Sequence, residues 1–391
     1  MNTTNSRLQV VDALRGFAII AIMLLHNLEH FDFYFIPKDS PEWLLSLDKS
    51  VWETLFFIFA GKSYAIFALL FGLTYYIQSH NQEKKGFDFR ARFAWRLVLL
   101  LGFGVINSAF FQGDILAIYA ILGFGLIPVS KLNDKVVFSI AVFLMLQPYE
   151  WIRFIVAAQH PDMALTNPAS WAYFGRMGEY IPNDSLTDTL IGNLSNGRLA
   201  VLNWTWESGR VFQTLSLFML GMLSGRRGVF KDTIVNRKFW KRLLGYATLC
   251  FIPLYWFKTN IAQWFESEAM KRPLTTIVTS WTNFAFMLVL VSLFVLLYKK
   301  GVFNKILSVF VPLGCMSLSN YFIQSILGSF IYYGFGLGLY QYTGSTLCLF
   351  IGLALGTLEW CFSFWWMKHH KRGPLETIWH RLTWIKSSPR S

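Results

Sequence analysis

The stretch DALRGFAIIAIMLLHNLEH, residues 12–30, contains an apolar run long enough to cross a membrane, with ionisable side chains at both of its ends. On a helix that turns by about 100° per residue, Asp12, Arg15, His26 and His30 fall within an arc of about 60°. His26 then lies about 16 Å beyond Arg15 along the helix axis, at a rise of about 1.5 Å per residue. Polar groups inside a membrane span are costly, so a stripe of them on one face indicates a functional site.

The composition of the whole chain is typical of a membrane protein. Of its 391 residues, 54% are hydrophobic and only 15% are charged, and the chain contains 38 Phe, 16 Trp and 16 Tyr. Such a composition indicates a multi-pass helical protein and excludes a soluble domain. A net charge of +13 could indicate a nucleic-acid partner, but the basic residues collect in the loops of one membrane side, so we expect none. The four cysteines lie in apolar stretches and predict buried thiols rather than disulfides.

We predict an all-α fold with about ten transmembrane helices, because each span needs about 20 apolar residues. Two spans are too long for one simple helix and are interrupted, at AGKS (60–63) and at VPLGCMSLSN (311–320). Broken helices are tolerated where the backbone faces protein or a water-filled cavity. The first span lacks a small-residue cleavage site and is expected to be retained. The predicted spans are 11–30, 51–79, 93–111, 114–130, 136–157, 209–225, 239–257, 274–298, 306–335 and 345–367.

The distribution of charge predicts the topology. With the N-terminus in the cytoplasm, most of the 35 basic residues fall in cytoplasmic segments and most of the 22 acidic residues fall outside. This pattern follows the positive-inside rule and predicts an even number of spans, with both termini cytoplasmic. The chain is then a single transmembrane domain, 1–391. An external segment, 158–208, is expected to lie on the membrane as a lid or a re-entrant element, and residues 368–391 are expected to form a cytoplasmic tail.

The polar residues of the first span also have ordinary structural interpretations. Arg15 could be only the positive anchor of the span, neutralised by Asp12 three residues away. His26 could be a core histidine bonded to a carbonyl. HNLEH, residues 26–30, also matches the H-x-x-E-H pattern of inverted zinc peptidases. That pattern needs a further ligand, for which only His160 is predicted on the same side, so no metal is expected.

Three charged residues elsewhere are candidates for the same cavity. Glu359 lies inside the last span and needs a partner, for which Arg15 or Lys62 would serve; otherwise it is a neutral glutamate bonded to the backbone. Lys62, at the break in the second span, could instead extend its side chain to the membrane surface. Asp114 could orient His26 or cap the fourth helix.

Polar residues near the other break and in the tail are also open to two interpretations. Asn320 and Gln324, on the broken ninth span, could bind a substrate or join neighbouring helices by hydrogen bonds. Arg372, Glu376 and Arg381 could bind a donor substrate, but we expect their charges mainly to hold the tail against the helices.

Motifs along the chain resemble two related groups of membrane proteins. D-x-x-R-G followed by an R-x10-H spacing in the first span resembles the signature of the acyltransferase-3 proteins. The remainder resembles the YeiB-like bacterial family, catalogued as a domain of unknown function. The motifs that carry this second resemblance are FALLFGLTYYI (67–77), GDILAIYAILG (113–123), MSLSNYFIQS (316–325) and RGPLETIWHRLT (372–383). The resemblance spans nearly the full chain and implies a bacterial inner-membrane protein.

The acyltransferase resemblance implies transfer of an acyl group from cytoplasmic acyl-CoA to a hydroxyl or amine of an envelope glycan, a membrane lipid or a small metabolite. His26 would act as the general base, since histidine titrates near neutral pH. Arg15 would bind the donor phosphates or stabilise the oxyanion. Asp114 would support them. The residues expected to contribute to substrate or donor binding are Asp12, His30, Lys62, Asn320, Gln324 and Glu359.

Two other kinds of function remain open. Broken helices around a polar cavity are also typical of transporters, so the protein could carry a small anion or metabolite. A membrane partner protein without catalytic activity would tolerate loss of His26. A homodimer is left open by the sequence.

Overall fold

The computed structural model describes residues 8–35, 37, 40–160 and 165–385, and every regular element within these ranges is helical. The α-helices are α1 Gln9–Leu28, α2 Glu42–Phe59, α3 Ser63–Glu83, α4 Arg90–Phe110, α5 Leu116–Gly123, α6 Leu126–Val129, α7 Asp134–Met145, α8 Pro148–Gln159, α9 Ala169–Gly175, α10 Leu186–Gly192, α11 Arg198–Glu207, α12 Arg210–Arg226, α13 Ile234–Trp264, α14 Glu268–Tyr298, α15 Gly301–Leu307, α16 Val311–Cys315, α17 Ser317–Tyr332, α18 Ser345–His369 and α19 Pro374–Thr383. Short 3-10 turns occur at Arg176–Glu179, Ser308–Phe310 and Leu339–Gln341, and a π-turn occurs at Asn193–Gly197.

Fewer helices are clearly long and apolar enough to span a membrane than the ten that the sequence predicts. Five helical stretches in the described residues are long and apolar enough to cross a membrane, namely α1, α2 with α3, α4, α14 and α18. Two bent pairs, α7 with α8 and residues 301–315 with α17, raise the number to seven if each pair is one span. The chain is therefore a multi-pass, all-helical membrane protein, but ten spans are not clearly present.

Length and composition explain the difference. The predicted span 114–130 is divided between the eight-residue α5 and the four-residue α6. Helix α12 has only 17 residues. Helix α13 has 31 residues but carries four basic side chains in its first turns, Arg237, Lys238, Lys241 and Arg242.

Both predicted breaks are present. Between α2 and α3 the backbone is extended at Ala60 and left-handed at Gly61, where a Cβ atom would overlap the side-chain amide of Asn283. Between α16 and α17, Met316 leaves helical geometry and the chain bends by 80°. A third bend, of 41°, was not predicted and lies beside Gln147, which has a left-handed backbone with φ of 60°.

Helix α1 lies at the centre of the bundle. It packs against α3, α16, α17 and α18, and 67% of its apolar stretch is buried inside the protein, against 28% for α18. Glycines bring α1 and α16 into backbone contact, since a Cβ at Gly16 would overlap the carbonyl of Phe310 and a Cβ at Gly314 would overlap that of Asp12. This crossing holds the first turns of α1 against the broken helix.

Short helices cover both ends of the bundle. The predicted lid, 158–208, folds into α9, α10 and α11 in its described part, which omits residues 161–164. The side chain of Asn193 fastens this segment by donating hydrogen bonds to the last carbonyls of α4, at 3.0 and 3.1 Å. In the predicted tail, α19 packs against α4 and α17, while residues 386–391 lie outside the described part of the chain.

Candidate functional site

The two polar ends of α1 open into two different cavities. The Arg15 cavity, of about 510 Å³, is enclosed by α1, α3, α4, the break before α17, and the tail. The His26 cavity, of about 460 Å³, is enclosed by the other end of α1, the α2–α3 break, α5 and the lid helices. Both volumes are in the range of small-molecule sites. Arg15 and His26, which lie on one face of α1, thus line two different cavities.

The Arg15 cavity is basic. The Arg15 guanidinium donates hydrogen bonds to Oδ1 of Asp12, at 3.2 Å, and to Oγ1 of Thr74, at 2.8 Å. These contacts fix its direction. Four of the basic side chains that line the cavity are Arg15, Arg96, Lys371 and Arg372, and Glu376 is an acidic one. Apolar side chains from α3 and α4, such as Phe71 and Leu97, also line the cavity, beside the polar Gln78 and Asn81. The chamber therefore suits a ligand with an anionic part and a weakly polar part.

The tail helix α19 forms one wall of the Arg15 cavity. The guanidinium of Arg96 lies 4.0 Å from the ring centroid of Trp379, and Arg92 lies 4.1 Å from that of Trp384. Such cation–π stacks are worth about 0.5–2 kcal/mol each. Arg372 lines the cavity, so the tail both docks on the bundle and contributes charge to the chamber.

Glu376 joins α19 to the broken helix. Its carboxylate accepts hydrogen bonds from the backbone N–H of Leu318, at 2.7 Å, and from the N–H and hydroxyl of Ser319, at 3.2 and 2.5 Å. These are N-terminal groups of α17, which lack partners within their own helix. Burial raises the pKa of Glu376, and these hydrogen bonds oppose the shift. The tail therefore caps α17 from outside.

His26 lies among aromatic rings in the other cavity. Its ring centroid is 4.6 Å from that of Phe111, 5.7 Å from that of Phe31 and 6.4 Å from that of Tyr321. Its Nδ1 atom is buried and has no hydrogen-bond partner within the described ranges. The imidazole can therefore form a further hydrogen bond to a ligand. The sequence had predicted a functional residue at this position of α1.

Sequence analysis missed the other charged residues of the His26 cavity. Glu29, Asp32 and Arg210 line it. The guanidinium of Arg210 lies between the rings of Trp204 and Tyr64, 3.9 and 4.2 Å from their centroids. Glu29 stands three residues after His26 and could have been found from helical spacing, whereas Arg210 comes from a distant helix.

A left-handed turn directs Asp32 into the cavity. The φ angles of His30, Phe31 and Asp32 are 47°, 55° and 67°, a conformation that costs about 1–2 kcal/mol per residue for side chains other than glycine. The Phe31 carbonyl is held by the hydroxyl of Tyr333, at 2.7 Å, and by Nε2 of Gln112, at 3.3 Å. Strain that is maintained by neighbouring groups is common at functional sites.

The surroundings of Asp32 depend on a glycine and raise its pKa. A Cβ on Gly113 would overlap the Asp32 carboxylate, so glycine leaves space for it. Burial raises the pKa of Asp32 to about 7, and the positive charge of Arg210 opposes this shift. The ionisable groups that interact with Asp32 are Glu29, Tyr34, Arg210, Tyr321 and Tyr333.

Tyr119 on α5 lines both cavities. Its hydroxyl donates a hydrogen bond to the carbonyl of Tyr64, at 2.7 Å, and its ring packs against Phe71 and Phe218. It is fully buried. The two chambers therefore meet at one aromatic side chain, whose position is fixed by a hydrogen bond and by packing.

Asp114 and Asn320 have the structural roles that the sequence left open. The carboxylate of Asp114 accepts hydrogen bonds from the backbone N–H of Ala117 and from Nδ2 of Asn107, both at 2.9 Å, so it caps α5. The Asn320 side chain exchanges hydrogen bonds with the hydroxyl of Ser363 at 3.0 and 3.1 Å and so links α17 to α18.

The side chains of His30 and Lys62 are not among the lining of either cavity, although neighbouring residues line the His26 cavity. Nε2 of His30 donates a hydrogen bond to the carbonyl of Thr343, at 2.9 Å, and lies 3.2 Å from Sγ of Cys348. Lys62 lies near the rings of Phe57 and Phe286, 5.8 and 5.6 Å from their centroids. His26 and His30 therefore point to different surroundings, and the described residues contain no group of three or more possible metal ligands.

Glu359 and Gln324 are buried with unpartnered side chains. Both carboxylate oxygens of Glu359 and both polar atoms of the Gln324 amide lack hydrogen-bond partners in the part of the chain that the structure describes. The expected partners of Glu359 are engaged elsewhere, since Arg15 pairs with Asp12 and Lys62 with aromatic rings.

Comparison with known proteins supports one of the two resemblances. A family model described as "Protein of unknown function (DUF418)" matches residues 224–386. The chain is 29% identical to the uncharacterized protein YxaH of Bacillus subtilis, covering 99% of this chain and 96% of that protein. It is 24% identical to the uncharacterized protein YeiB of Escherichia coli, covering 97% of each.

The supported similarity is to YeiB-like proteins. An uncharacterized 39.9 kDa protein from Bacillus acidopullulyticus is also similar, with 23% identity over 98% of this chain and 96% of that protein. No solved structure matches the chain significantly. The descriptions of these matches name no activity, so the function is inferred from the geometry of the two cavities.

Proposed function

We propose that this protein is an integral-membrane acyltransferase that binds acyl-CoA in the Arg15 cavity and an acceptor in the His26 cavity. The observation that carries the proposal is the meeting of the two chambers at Tyr119, with the Arg15 guanidinium in one and, in the other, an imidazole whose Nδ1 has no partner in the described ranges. A transferase needs such an arrangement when donor and acceptor come from opposite sides of a membrane. Its placement among the acyltransferase-3 proteins is part of this proposal.

The basic chamber suits the donor. Acyl-CoA carries several phosphate charges and a long, weakly polar arm that ends in the thioester. Arg15, Arg96 and Arg372 would hold the phosphates, since guanidinium groups bind phosphate in a bidentate manner. The arm would lie against the apolar wall from α3 and α4 and direct the thioester past Tyr119.

The chemistry would take place beside His26. An acceptor hydroxyl would attack the thioester carbonyl carbon while His26 takes the hydroxyl proton. The carbon–sulfur bond would then break, and the proton held by His26 would pass to the departing thiolate, giving an ester and free CoA. Because Nδ1 of His26 has no protein partner, the ring has an unoccupied position for this exchange.

This scheme specifies the topology. We propose that the Arg15 cavity faces the cytoplasm, with both termini on that side, in the cytoplasmic membrane of a bacterium. The broken segment α5–α6 and helices α12 and α13 would complete about ten passages through the membrane. The acceptor, an envelope glycan, a lipid or a small metabolite, would enter beneath the lid helices α9 and α11.

The proposal is tested by donor turnover. Purified protein in detergent is incubated with acetyl-CoA, with water accepting the acetyl group in place of the natural hydroxyl, and release of the free CoA thiol is followed. His26→Ala should reduce this release at least tenfold, as expected for loss of a general base, while donor binding persists. His160→Ala, which removes an exposed histidine, is the matched control. Equal turnover by wild type and His26→Ala would contradict the proposal.

A transporter is the second candidate, and one observation favours it. Two cavities separated by one constricting side chain, with an unpartnered buried glutamate at Glu359, are also expected of an alternating-access carrier. Reconstituted vesicles distinguish the candidates, because a carrier moves its substrate across the membrane without consuming acyl-CoA.

A further inference from the structure

The His26 cavity carries two carboxylates that the acyl-transfer scheme does not use. Glu29 and Asp32 both line it, together with the single guanidinium of Arg210. Burial raises the pKa of Glu29 to about 8 and that of Asp32 to about 7, so both acids are ionised together above about pH 8, or when a bound cation favours their charged forms. In that state the three side chains sum to one negative charge. An anionic ligand would make the net charge of the site more negative, and a neutral ligand would leave it unchanged. A ligand with one positive charge would neutralise it.

Arg210 is held in place by aromatic rings. Its guanidinium is stacked between Trp204 and Tyr64, and in the described ranges it forms no ion pair with Glu29 or Asp32 within the usual 4.0 Å. Glu29 accepts one hydrogen bond, from the Tyr34 hydroxyl at 2.8 Å. Most of the acceptor capacity of the two carboxylates is therefore available to a ligand.

The positions of these acids are specified by the fold. The left-handed turn at residues 30–32 and the absence of a side chain at Gly113 direct Asp32 to the cavity. His26 lines the same chamber, and its buried Nδ1 atom has no hydrogen-bond partner in the described ranges, which independently indicates a missing ligand. Rings of Trp171 and Phe174 from the lid supply an apolar wall.

We propose that the His26 cavity binds a small organic molecule with a protonated primary amine, held by Glu29 and Asp32 with its apolar part against Trp171 and Phe174. Resting on the proposed function, this molecule is the acyl acceptor, and its class is an amino alcohol. An amine that stays protonated between two carboxylates has no free electron pair for attack, so the acylated group is the hydroxyl presented to His26. The product is an ester rather than an amide.

Three probes with one ring scaffold test the charge of the ligand. Binding of trans-4-aminocyclohexanol, trans-1,4-cyclohexanediol and trans-4-hydroxycyclohexanecarboxylate to the purified full chain is measured by calorimetry, without any acyl donor. The amine should bind at least tenfold more tightly than the diol, and the carboxylate should bind most weakly. Because no donor is present, failure of acyl transfer would leave this result unaffected.

Variants then test the assigned residues. Glu29→Gln and Asp32→Asn should each weaken amine binding about tenfold and leave diol binding unchanged, whereas Glu53→Gln, at an exposed glutamate on α2, should change neither. His26→Ala should keep the preference for the amine, which separates amine binding from catalysis. Unchanged melting temperatures exclude misfolding of the variants. Equal binding of amine and diol, a preference for the carboxylate, or no binding of the amine by folded wild type would overturn the proposal.

Discussion

Replacing Glu376 with alanine should release the tail from the bundle. The substitution leaves the N–H groups of Leu318 and Ser319 and the hydroxyl of Ser319 without their acceptor. A buried donor that loses its partner costs about 1–3 kcal/mol, and loss of a helix cap costs about 0.5–2 kcal/mol. Because these groups are close together and the effects overlap, we expect a destabilisation of about 2–4 kcal/mol.

Glu376→Gln is the matched control. The amide oxygen of glutamine accepts hydrogen bonds in the same position, so we expect a loss of less than about 1.5 kcal/mol. Thermal unfolding in detergent measures the relative stability, and limited proteolysis measures whether residues of α19 become accessible. The reasoning would be refuted if Glu376→Ala melted with wild type and its tail stayed as resistant to protease.

Three further predictions concern the helix crossing and the His26 cavity. Gly314→Ala places a methyl group against a backbone carbonyl of α1 and should destabilise the protein by about 1–3 kcal/mol. The control Gly102→Ala, in open space on α4, should be neutral or slightly stabilising. Melting curves of both variants test this difference. Amine binding should weaken as the pH falls through about 8 and about 7, because burial raises the pKa of Glu29 to about 8 and that of Asp32 to about 7, and both carboxylates must be ionised to hold a cation. Calorimetry from about pH 6 to about pH 9 measures this dependence, and Asp32→Asn should leave only the part that Glu29 causes. Tyr333→Phe removes the hydroxyl that holds the left-handed turn and should weaken amine binding several-fold without changing acetyl-CoA binding, as measured by titrating each ligand.

The helical class and the two breaks could be predicted from sequence because both depend on local composition. Apolar length predicts spans, and the glycine and proline residues at 60–63 and 311–320 predict interruptions. The number of spans could not be predicted in the same way. Helices α5 and α6 are too short to cross alone, and α12 has only 17 residues, at the lower limit for a span, so only tertiary packing shows how these segments are arranged.

The candidate site was predictable along α1 and partly in the tail, where Arg372 and Glu376 line the Arg15 cavity. Helical spacing brings Arg15 and His26 to one face, and each lines a cavity. Asp32 could not be found in this way, because its position depends on a left-handed turn that propensity disfavours and Tyr333 maintains. Arg210 comes from a segment distant in the chain. No local sequence pattern predicts that a residue of α12 lines the same cavity as His26.

The most direct test of the account is calorimetric titration of acetyl-CoA into the detergent-purified protein and its Arg15→Ala variant. Arg237→Ala, at an exposed arginine paired with Asp232, is the control for loss of a positive charge. The account predicts micromolar binding by wild type and the control, and at least tenfold weaker binding by Arg15→Ala, since one charge-assisted hydrogen bond is worth about 1.5–3 kcal/mol. No binding of acetyl-CoA or a longer acyl-CoA to folded wild type, or equal binding by Arg15→Ala, would contradict the central claim that the Arg15 cavity holds the acyl donor.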